Sequence, residues 1–195
     1  MRDPSEDDAP GLPGLALIGL DLQESFIRAI ATPETFVARC NFALAAARKL
    51  EIPVILTEQV PEKLGPTLPD LAGAAGGVPV FPKNHFSCFG AEGFEEALRE
   101  REIHHLLVIG LETPICVYQS VIEAIDKGFE VTVLRDCVGG RREDDADPAL
   151  QAMSGAGAHI LPSETIFYSI LGNTDHPAFR AITALVKEHS PVPRS

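Results

Sequence analysis

Short apolar runs alternate along this chain with longer segments whose apolar residues recur at helical spacing. A short, nearly continuous apolar run is typical of a strand that is buried on both faces. Six runs are predicted as strands, at 15–20, 54–57, 78–81, 105–111, 130–134 and 158–161. Helices are predicted between or after them at 33–50, 94–101, 148–156 and 177–188, and a loop rich in helix-breaking residues is predicted at 58–66. Strands separated by helical crossovers predict a parallel sheet with helices on both faces.

The segment 106–128, LLVIGLETPICVYQSVIEAIDKG, predicts a buried strand, a turn at Gly110 and a helix that ends near Gly128. Pro114 suits the first helical turn, and glycine is favoured just past a helix end. Cys116 is therefore predicted in the first turn of the helix. A thiol there lies near the positive end of the helix dipole, which favours the thiolate. The alternative is a buried, inert cysteine, a common environment for a free thiol.

Three chemically useful residues are predicted at the ends of strands. Asp21 follows the first strand, Lys83 follows the third, and Cys116 follows the fourth across the turn. In an open parallel sheet, ligands bind outside the carboxyl ends of the strands, where the strand order reverses. Taken singly, each residue could equally be a loop acid, a solvated lysine or a core thiol. Their shared position favours one functional site.

The charge balance disfavours two classes of partner. Sixteen Lys and Arg residues against 28 Asp and Glu residues give a formal net charge of −12. A nucleic acid or an anionic membrane surface is therefore not an expected partner. No apolar run reaches the roughly 20 residues that are needed to span a bilayer.

The four cysteines are dispersed along the chain and include no CxxC pair. This pattern predicts free thiols in a reducing compartment, the cytoplasm. Cys40 lies in the middle of a predicted helix and is expected to be inert, whereas Cys88 could line the site. Cys137 follows Asp136, whose negative charge disfavours a thiolate. Cys116 is expected to be the most reactive of the four.

Length and composition suit a single core, since the chain has 195 residues and is 45% hydrophobic. Residues 1–14 are acidic and rich in Pro and Gly, which predicts a flexible leader. Residues 15–188 are predicted to form one domain, and 189–195 a flexible tail. After the sixth strand, Ser163 is predicted to cap the N-terminus of a further helix.

Five segments carry a resemblance to a known family. They are LIGLDLQESF (17–26), VILTEQVPEKLGPTLPDL (54–71), FPKNHFSCF (81–89), IGLETPICVYQSV (109–121) and LPSETIFYSILGNTDHPAFRAI (161–182). Over about residues 15–187 the chain resembles the isochorismatase-like cysteine hydrolases, in the branch that holds YcaC-type hydrolases and isochorismatase-domain-containing proteins. The resemblance implies a Rossmann-like three-layer α/β/α sandwich with a six-stranded, mainly parallel sheet.

The same resemblance implies a mechanism. The catalytic triad of the family maps onto Asp21, Lys83 and Cys116, its cis peptide onto Leu111–Glu112, and its oxyanion hole onto the backbone N–H groups of Glu112 and Cys116. The implied substrate is a small amide or ureido compound, whose C–N bond is cleaved through a thioester. Asp21 would take the thiol proton, and Lys83 would stabilise the charges. No cofactor is implied, and a homo-oligomer, a dimer or larger, is expected.

Departures from the wider family narrow this expectation. Nicotinamidase-type relatives carry a metal-binding Asp and His cluster where this chain has TEQVPEKLG at 57–65, so no metal is expected. Retention of Cys116 argues against the vinyl-ether hydrolysis of the authentic isochorismatases. His85 and Cys88 have an HxxC spacing, but two ligands without a second pair are weak evidence for zinc.

The segment after the fifth predicted strand differs from that of the relatives. The charged run RREDD at 141–145 predicts a solvated turn, and Gly139 and Gly140 stand where relatives often have a Ser-Arg pair.

Two other functions remain compatible with the sequence. One is a non-catalytic oligomeric interaction module, and the other is a redox-sensing protein that uses the Cys116 thiol.

Overall fold

The computed structural model describes residues 13–189, so most of the predicted leader and tail, 1–12 and 190–195, lies outside the described residues. Six strands form one sheet: β1 (Leu15–Leu20), β2 (Val54–Gln59), β3 (Val80–Lys83), β4 (His105–Leu111), β5 (Glu130–Gly139) and β6 (His159–Leu161). Their order is β3-β2-β1-β4-β5-β6, and every neighbouring pair is parallel. The predicted α/β class is confirmed, with a sheet that is wholly parallel.

The described helices are α1 (Glu24–Ile27), α2 (Pro33–Lys49), α3 (Pro61–Leu64), α4 (Pro69–Ala75), α5 (Phe94–Arg99), α6 (Tyr118–Asp126), α7 (Glu143–Gly155), α8 (Ser163–Leu171) and α9 (Phe179–His189). A 3-10 turn at Cys88–Gly90 and a π-helical turn at Thr113–Val117 complete the regular structure of these residues. Within the described part of the chain, no helix combines the length and apolar character that crossing a membrane requires.

The strands are apolar at consecutive positions because helices cover both faces of the sheet. Leu17 points to a core that it shares with Phe42 and with residues of α2, α4, α8 and α9. Its neighbour Ile18 points to a second core, which contains Phe94 and residues of α5, α6 and α7. The chain is therefore a three-layer α/β/α sandwich, as the sequence predicted.

The predicted cap at Ser163 is wrong. Pro162 occupies the N-cap position of α8, and Ser163 is the first helical residue. Its hydroxyl donates to Asp136 Oδ2 at 2.7 Å and accepts from Arg39 Nη2 at 2.8 Å. Arg39 and Asp136 form a largely buried ion pair with each other. The Ser163 hydroxyl is bound to this pair and so does not cap the helix N-terminus. The apolar face of α8 packs into the first core against the sheet, with Phe167 fully buried.

Several strand boundaries differ from the predicted ones. Strand β2 extends past 54–57 to Gln59, β5 extends past 130–134 to Gly139, and β3 begins two residues later than predicted. The extensions carry polar residues that apolar periodicity does not detect. At the carboxyl end of β2, for example, Gln59 accepts a hydrogen bond from Lys83, the last residue of β3.

The predicted loop at 58–66 and the predicted charged turn at 141–145 are also corrected. Short helices α1, α3 and α4 were missed, although α3 and α4 each begin with a proline, a favoured first helical residue. Helix α7 begins at Glu143, five residues before its predicted start. Three acidic residues lie in its first turn, where they interact favourably with the helix dipole.

Gly110 lies within β4 and not in a turn. It is opposite Leu20 of β1 and has a φ of +125°. A Cβ atom at this position would lie 2.0 Å from the Leu20 carbonyl oxygen. The register between β4 and β5 shifts between Val108 and Gly110. Glycine is required here both by its backbone conformation and by the close approach of the neighbouring strand.

We expect Gly110→Ala to lower the free energy of unfolding by ~3 kcal/mol or more, because a backbone clash cannot be relieved by a side-chain rotation. The matched control is Gly73→Ala in α4, where a Cβ meets nothing within 4 Å. This control should stabilise the protein by about 0.5–1 kcal/mol. Urea unfolding followed by circular dichroism measures both values, and equal effects of the two substitutions would contradict the assignment.

Candidate active site

The strand order reverses between β1 and β4, which are neighbours at the centre of the sheet. The carboxyl ends of such a pair form the crevice where open α/β sheets bind ligands. Asp21 directly follows β1, and the π-helical turn that contains Cys116 follows β4. Lys83 is the last residue of β3, at the same edge of the sheet.

Asp21 and Lys83 form an ion pair. The Nζ atom of Lys83 lies 2.7 Å from Asp21 Oδ2, and both side chains have no exposed surface. Thr57 Oγ1 donates to the other carboxylate oxygen at 2.9 Å, and Lys83 Nζ also donates to Gln59 Oε1 at 2.7 Å. A buried ion pair is tolerated when its remaining hydrogen-bonding capacity is satisfied in this way. The structure thus joins β1, β2 and β3 through polar groups at their carboxyl ends.

The loop after Lys83 completes the environment of the ammonium group. The carbonyl oxygens of Phe86 and His85 accept from Lys83 Nζ at 3.1 and 3.3 Å. The Cys88 backbone N–H donates to Ser120 Oγ at 2.9 Å, and Cys88 itself is buried. Among residues 13–189, no group of three His, Cys, Asp or Glu side chains could hold a metal ion.

Cys116 lies beside this ion pair, because the charges of Asp21 and Lys83 both act on the pKa of its thiol. Burial and, after it, the charge of Asp21 raise the pKa of Cys116 to about 12, while Lys83 and the Glu112 backbone N–H act in the opposite direction. The predicted thiolate at the helix N-terminus is therefore wrong for the resting site. Burial and the neighbouring carboxylate thus oppose the ionisation that a helix N-terminus would favour, and the raised pKa corresponds to a thiol.

Glu112 lies between β4 and the π-helical turn. The Leu111–Glu112 peptide bond is cis, as the resemblance implied. The Glu112 backbone N–H is close enough to favour negative charge on the Cys116 sulfur. Its carbonyl oxygen accepts from Ile115 N at 3.0 Å and from Val117 N at 3.1 Å, so these bonds hold the turn that carries the cysteine.

A cavity of about 530 Å³ opens onto the thiol. This volume is in the range of small-molecule sites, roughly 300–1,000 Å³. Its apolar wall is formed by Phe26, Ala29, Leu64, Phe86 and Ile115. Its polar groups belong to Ser25, Gln59, Glu112, Cys116 and Arg141. Asp21 and Lys83 lie beneath this cavity wall, where solvent does not reach them.

Sequence reasoning missed three polar residues of the cavity, which are Ser25, Gln59 and Arg141. Gln59 was placed in a loop, and Arg141 was treated as a solvated charge. Gln59 is held by Gln23, whose Oε1 accepts from Gln59 N at 2.7 Å and whose Nε2 donates to Gln59 O at 3.0 Å. The available signal was a polar residue at the carboxyl end of the second strand. For Arg141 no sequence signal was available, because its partner Glu112 lies 29 residues earlier in the chain.

Comparison with known proteins identifies the family. The model of the isochorismatase domain matches residues 15–165. The chain belongs to the isochorismatase family. Isochorismatase domain-containing protein 2 of Xenopus laevis is 34% identical to this isochorismatase-family chain over 171 residues, which are 88% of this chain and 82% of the relative.

Two solved structures extend this comparison of the isochorismatase-family fold. MAR1 ribonuclease from Caenorhabditis elegans superposes with a TM-score of 0.84 and 32% identity, over 94% of this chain and 96% of that one. The octameric YcaC hydrolase of unknown specificity from Escherichia coli superposes with a TM-score of 0.86 and 22% identity, over 98% and 94% of the two chains. The fold is therefore that of the isochorismatase-family hydrolases.

We expect limiting iodoacetamide to label Cys116 before Cys40, Cys88 or Cys137, because the Cys116 thiol opens onto the cavity and the others lie in the core. Since the pKa of Cys116 is about 12, the labelling rate should rise about tenfold per pH unit from about pH 7 to about pH 10. Peptide mass spectrometry at each pH measures this rate. Preferential labelling of another cysteine, or a plateau near neutral pH, would contradict the site assignment.

Proposed function

We propose that this protein is a cysteine hydrolase that cleaves the C–N bond of a small amide or ureido compound through a thioester. One observation carries the proposal. Cys116 lines a small-molecule cavity and lies beside Asp21, which is itself paired with a fully buried Lys83. A nucleophile, a base and a group that stabilises the base form the arrangement that covalent catalysis requires.

The raised pKa of the Cys116 thiol defines the first step. As the sulfur attacks the substrate carbonyl carbon, the thiol proton moves to Asp21, and Lys83 stabilises the charges at the site. The tetrahedral intermediate then collapses, the C–N bond breaks, and the leaving nitrogen takes the proton from Asp21. A thioester with Cys116 remains.

Water completes the cycle by hydrolysing the thioester. Asp21 takes a proton from the attacking water, and the departing sulfur of Cys116 regains a proton from Asp21. The backbone N–H of Glu112 is proposed as one donor of the oxyanion hole, because it lies close enough to the Cys116 sulfur to lower the pKa of the thiol. A second donor, the Cys116 backbone N–H, is proposed from the family resemblance. Each such donor contributes of order 3 kcal/mol to the transition state.

RNA cleavage is a competing function, because the C. elegans relative is named a ribonuclease. Contacts with phosphates are made mainly by Lys and Arg side chains. Here the formal net charge is −12, Lys83 is buried against Asp21, and Arg141 is paired with Glu112. These observations favour a small-molecule substrate over a nucleic acid.

We also propose a homo-oligomer in the cytoplasm. Val80, Phe86, Leu161 and Tyr168 are large apolar residues with at least 37% of their surface exposed. Exposed apolar groups of this size are suited to contacts between subunits, and the E. coli YcaC hydrolase is an octamer.

All four cysteines are free, which fits a reducing compartment. An interaction module and a thiol sensor remain the alternatives.

The test is a screen of small amides, ureido acids and aryl esters that measures ammonia or alcohol release and the mass of the intact protein. We expect Cys116→Ala to abolish both turnover and acyl-enzyme formation, a loss of at least about 10³-fold. Cys88→Ala is the matched control, because it removes a second buried thiol near the site, and it should retain activity. RNA is included as a substrate.

Asp21→Asn should lower the rate by about 10²–10⁴-fold, because the thiol then lacks its base. The double variant Asp21→Asn/Lys83→Met separates this effect from the cost of leaving a buried charge unpaired, which is about 3–5 kcal/mol. Thermal unfolding checks that each variant is folded. Undiminished turnover in Cys116→Ala, or RNA cleavage that exceeds amide hydrolysis, would refute the proposed function.

A further inference from the structure

Asp21, the proposed base, has an unusual backbone conformation. Its φ is +52°, in the left-handed region that residues other than glycine seldom adopt, although aspartate does so more often than most. A residue persists in this region when the surrounding structure holds it there, and such residues cluster at functional sites. The groups that hold Asp21 in this conformation therefore bear directly on the proposed chemistry.

Thr57, in β2, holds Asp21 at two points. Its backbone carbonyl oxygen accepts from the Asp21 N–H at 3.1 Å, and its hydroxyl donates to Asp21 Oδ1 at 2.9 Å. Strand β2 lies next to β1 in the sheet, and Leu20, the last residue of β1, is paired in register with Thr57. One residue of the neighbouring strand thus fixes both the backbone and the side chain of the proposed base.

The Thr57 side chain is enclosed in the protein. Thr57 and Asp21 each have 0% of their surface exposed. Residues 54–56, which precede Thr57 in the strand, are apolar, and a valine would suit this position by shape and by strand propensity. A buried hydroxyl is costly unless it is hydrogen-bonded, and here the acceptor is Asp21 Oδ1. The hydroxyl is therefore explained by its bond to Asp21 and not by packing.

The second carboxylate oxygen of Asp21 has a different partner. Lys83 Nζ lies 2.7 Å from Asp21 Oδ2 and also donates to three further acceptors. This ion pair fixes the distance between the two charges, but one contact leaves a carboxylate free to turn about it. The Thr57 hydroxyl supplies a contact on the other oxygen, and the two contacts together set the plane of the carboxylate beside Cys116.

We propose that Thr57 is a positioning residue, which holds the Asp21 carboxylate in the orientation that accepts the proton of the Cys116 thiol. For the reaction this inference rests on the proposed hydrolase function, but for the placement of Asp21 it does not. Thr57 does not line the Cys116 cavity described above, so it acts on the substrate only through Asp21. The loss of its hydroxyl therefore lowers the rate of the chemical step and not the affinity for substrate.

The first experiment removes the hydroxyl and keeps the shape of the side chain. Thr57→Val retains the backbone bond to Asp21 and loses the bond to Oδ1. We expect kcat to fall by about 10–100-fold with KM unchanged, the effect of losing one hydrogen bond to a charged group. Thr57→Ser, which keeps a hydroxyl, should retain most of the activity. The substrate is an amide or ester identified by the screen described above, and thermal unfolding shows that each variant is folded.

Thr132→Val is the matched control. Thr132 is a second buried threonine of the sheet, in β5, and its hydroxyl bonds to His105 Nε2 at 2.9 Å. His105 is the first residue of β4, so this bond lies at the opposite edge of the sheet from Cys116. Thr132→Val should lower the unfolding temperature and leave kcat unchanged. An unchanged kcat in Thr57→Val, or equal losses of kcat in the two variants, would overturn the proposal.

A double-mutant cycle separates positioning from a general structural effect. The rate of acyl-enzyme formation in a single turnover is measured in Asp21→Asn and in Asp21→Asn/Thr57→Val. Since Thr57 acts through Asp21, Thr57→Val should lower the rate in the wild-type background and have no further effect once the base is absent. The same fold-loss in both backgrounds would contradict the positioning role.

A crystal structure of Thr57→Val tests the placement of Asp21 without any substrate. We expect the carboxylate to turn away from its orientation in a crystal structure of the wild-type protein, while Lys83 keeps its other acceptors. An unmoved carboxylate would overturn the role of Thr57 even if kcat fell. Absence of turnover and of an acyl-enzyme in the wild-type protein would refute the hydrolase function alone, because the crystal structures still decide the placement. Turnover that Thr57→Val leaves undiminished would refute the role of Thr57 alone.

Discussion

The buried ion pair between Asp21 and Lys83 is the interaction on which the rest of the site depends. Asp21 directly follows β1 and Lys83 ends β3. These strands are separated in the sheet by β2, so the pair forms only when all three strands are in register. Thr57 and Gln59 of β2 satisfy the remaining oxygen and one ammonium proton. Removing either charge would leave the other buried without a partner, at a cost of about 3–5 kcal/mol. The polar carboxyl ends of these strands are thus part of the structure as well as of the chemistry.

Burial at this site also determines the pKa of the Cys116 thiol. A thiol at a helix N-terminus would ordinarily ionise more easily, but exclusion of water and the adjacent carboxylate raise the pKa of Cys116 to about 12. In the proposed mechanism, the neutral thiol becomes nucleophilic when a carbonyl carbon arrives and the proton moves to Asp21. Loss of the proton would thereby be coupled to substrate binding. Cys88, which is buried in the second core with a pKa also raised to about 12 by burial, does not line the cavity described above.

The two ion pairs of the site differ in exposure, and this difference suits them to different tasks. The Asp21–Lys83 pair has no contact with solvent and holds fixed charges in place. The Glu112–Arg141 pair has one buried and one largely exposed partner. A partly exposed pair contributes little to stability, typically about 0–1 kcal/mol. The Arg141 guanidinium is therefore largely open to solvent, whereas the charges of the Asp21–Lys83 pair are enclosed by the fold.

The sequence by itself determined the class of fold and the position of the three principal residues. Its buried strands read as continuous apolar runs because both faces of the sheet are covered, and Asp21, Lys83 and Cys116 each follow such a run. The tertiary structure decided the protonation of Cys116, since the pKa depends on burial and on a carboxylate 95 residues away in the chain. It also decided the roles of Gln59 and Arg141, whose partners Lys83 and Glu112 come from other elements. Hydrophobic periodicity records which residues avoid water, whereas contacts between polar residues distant in the chain arise only when the sheet has assembled.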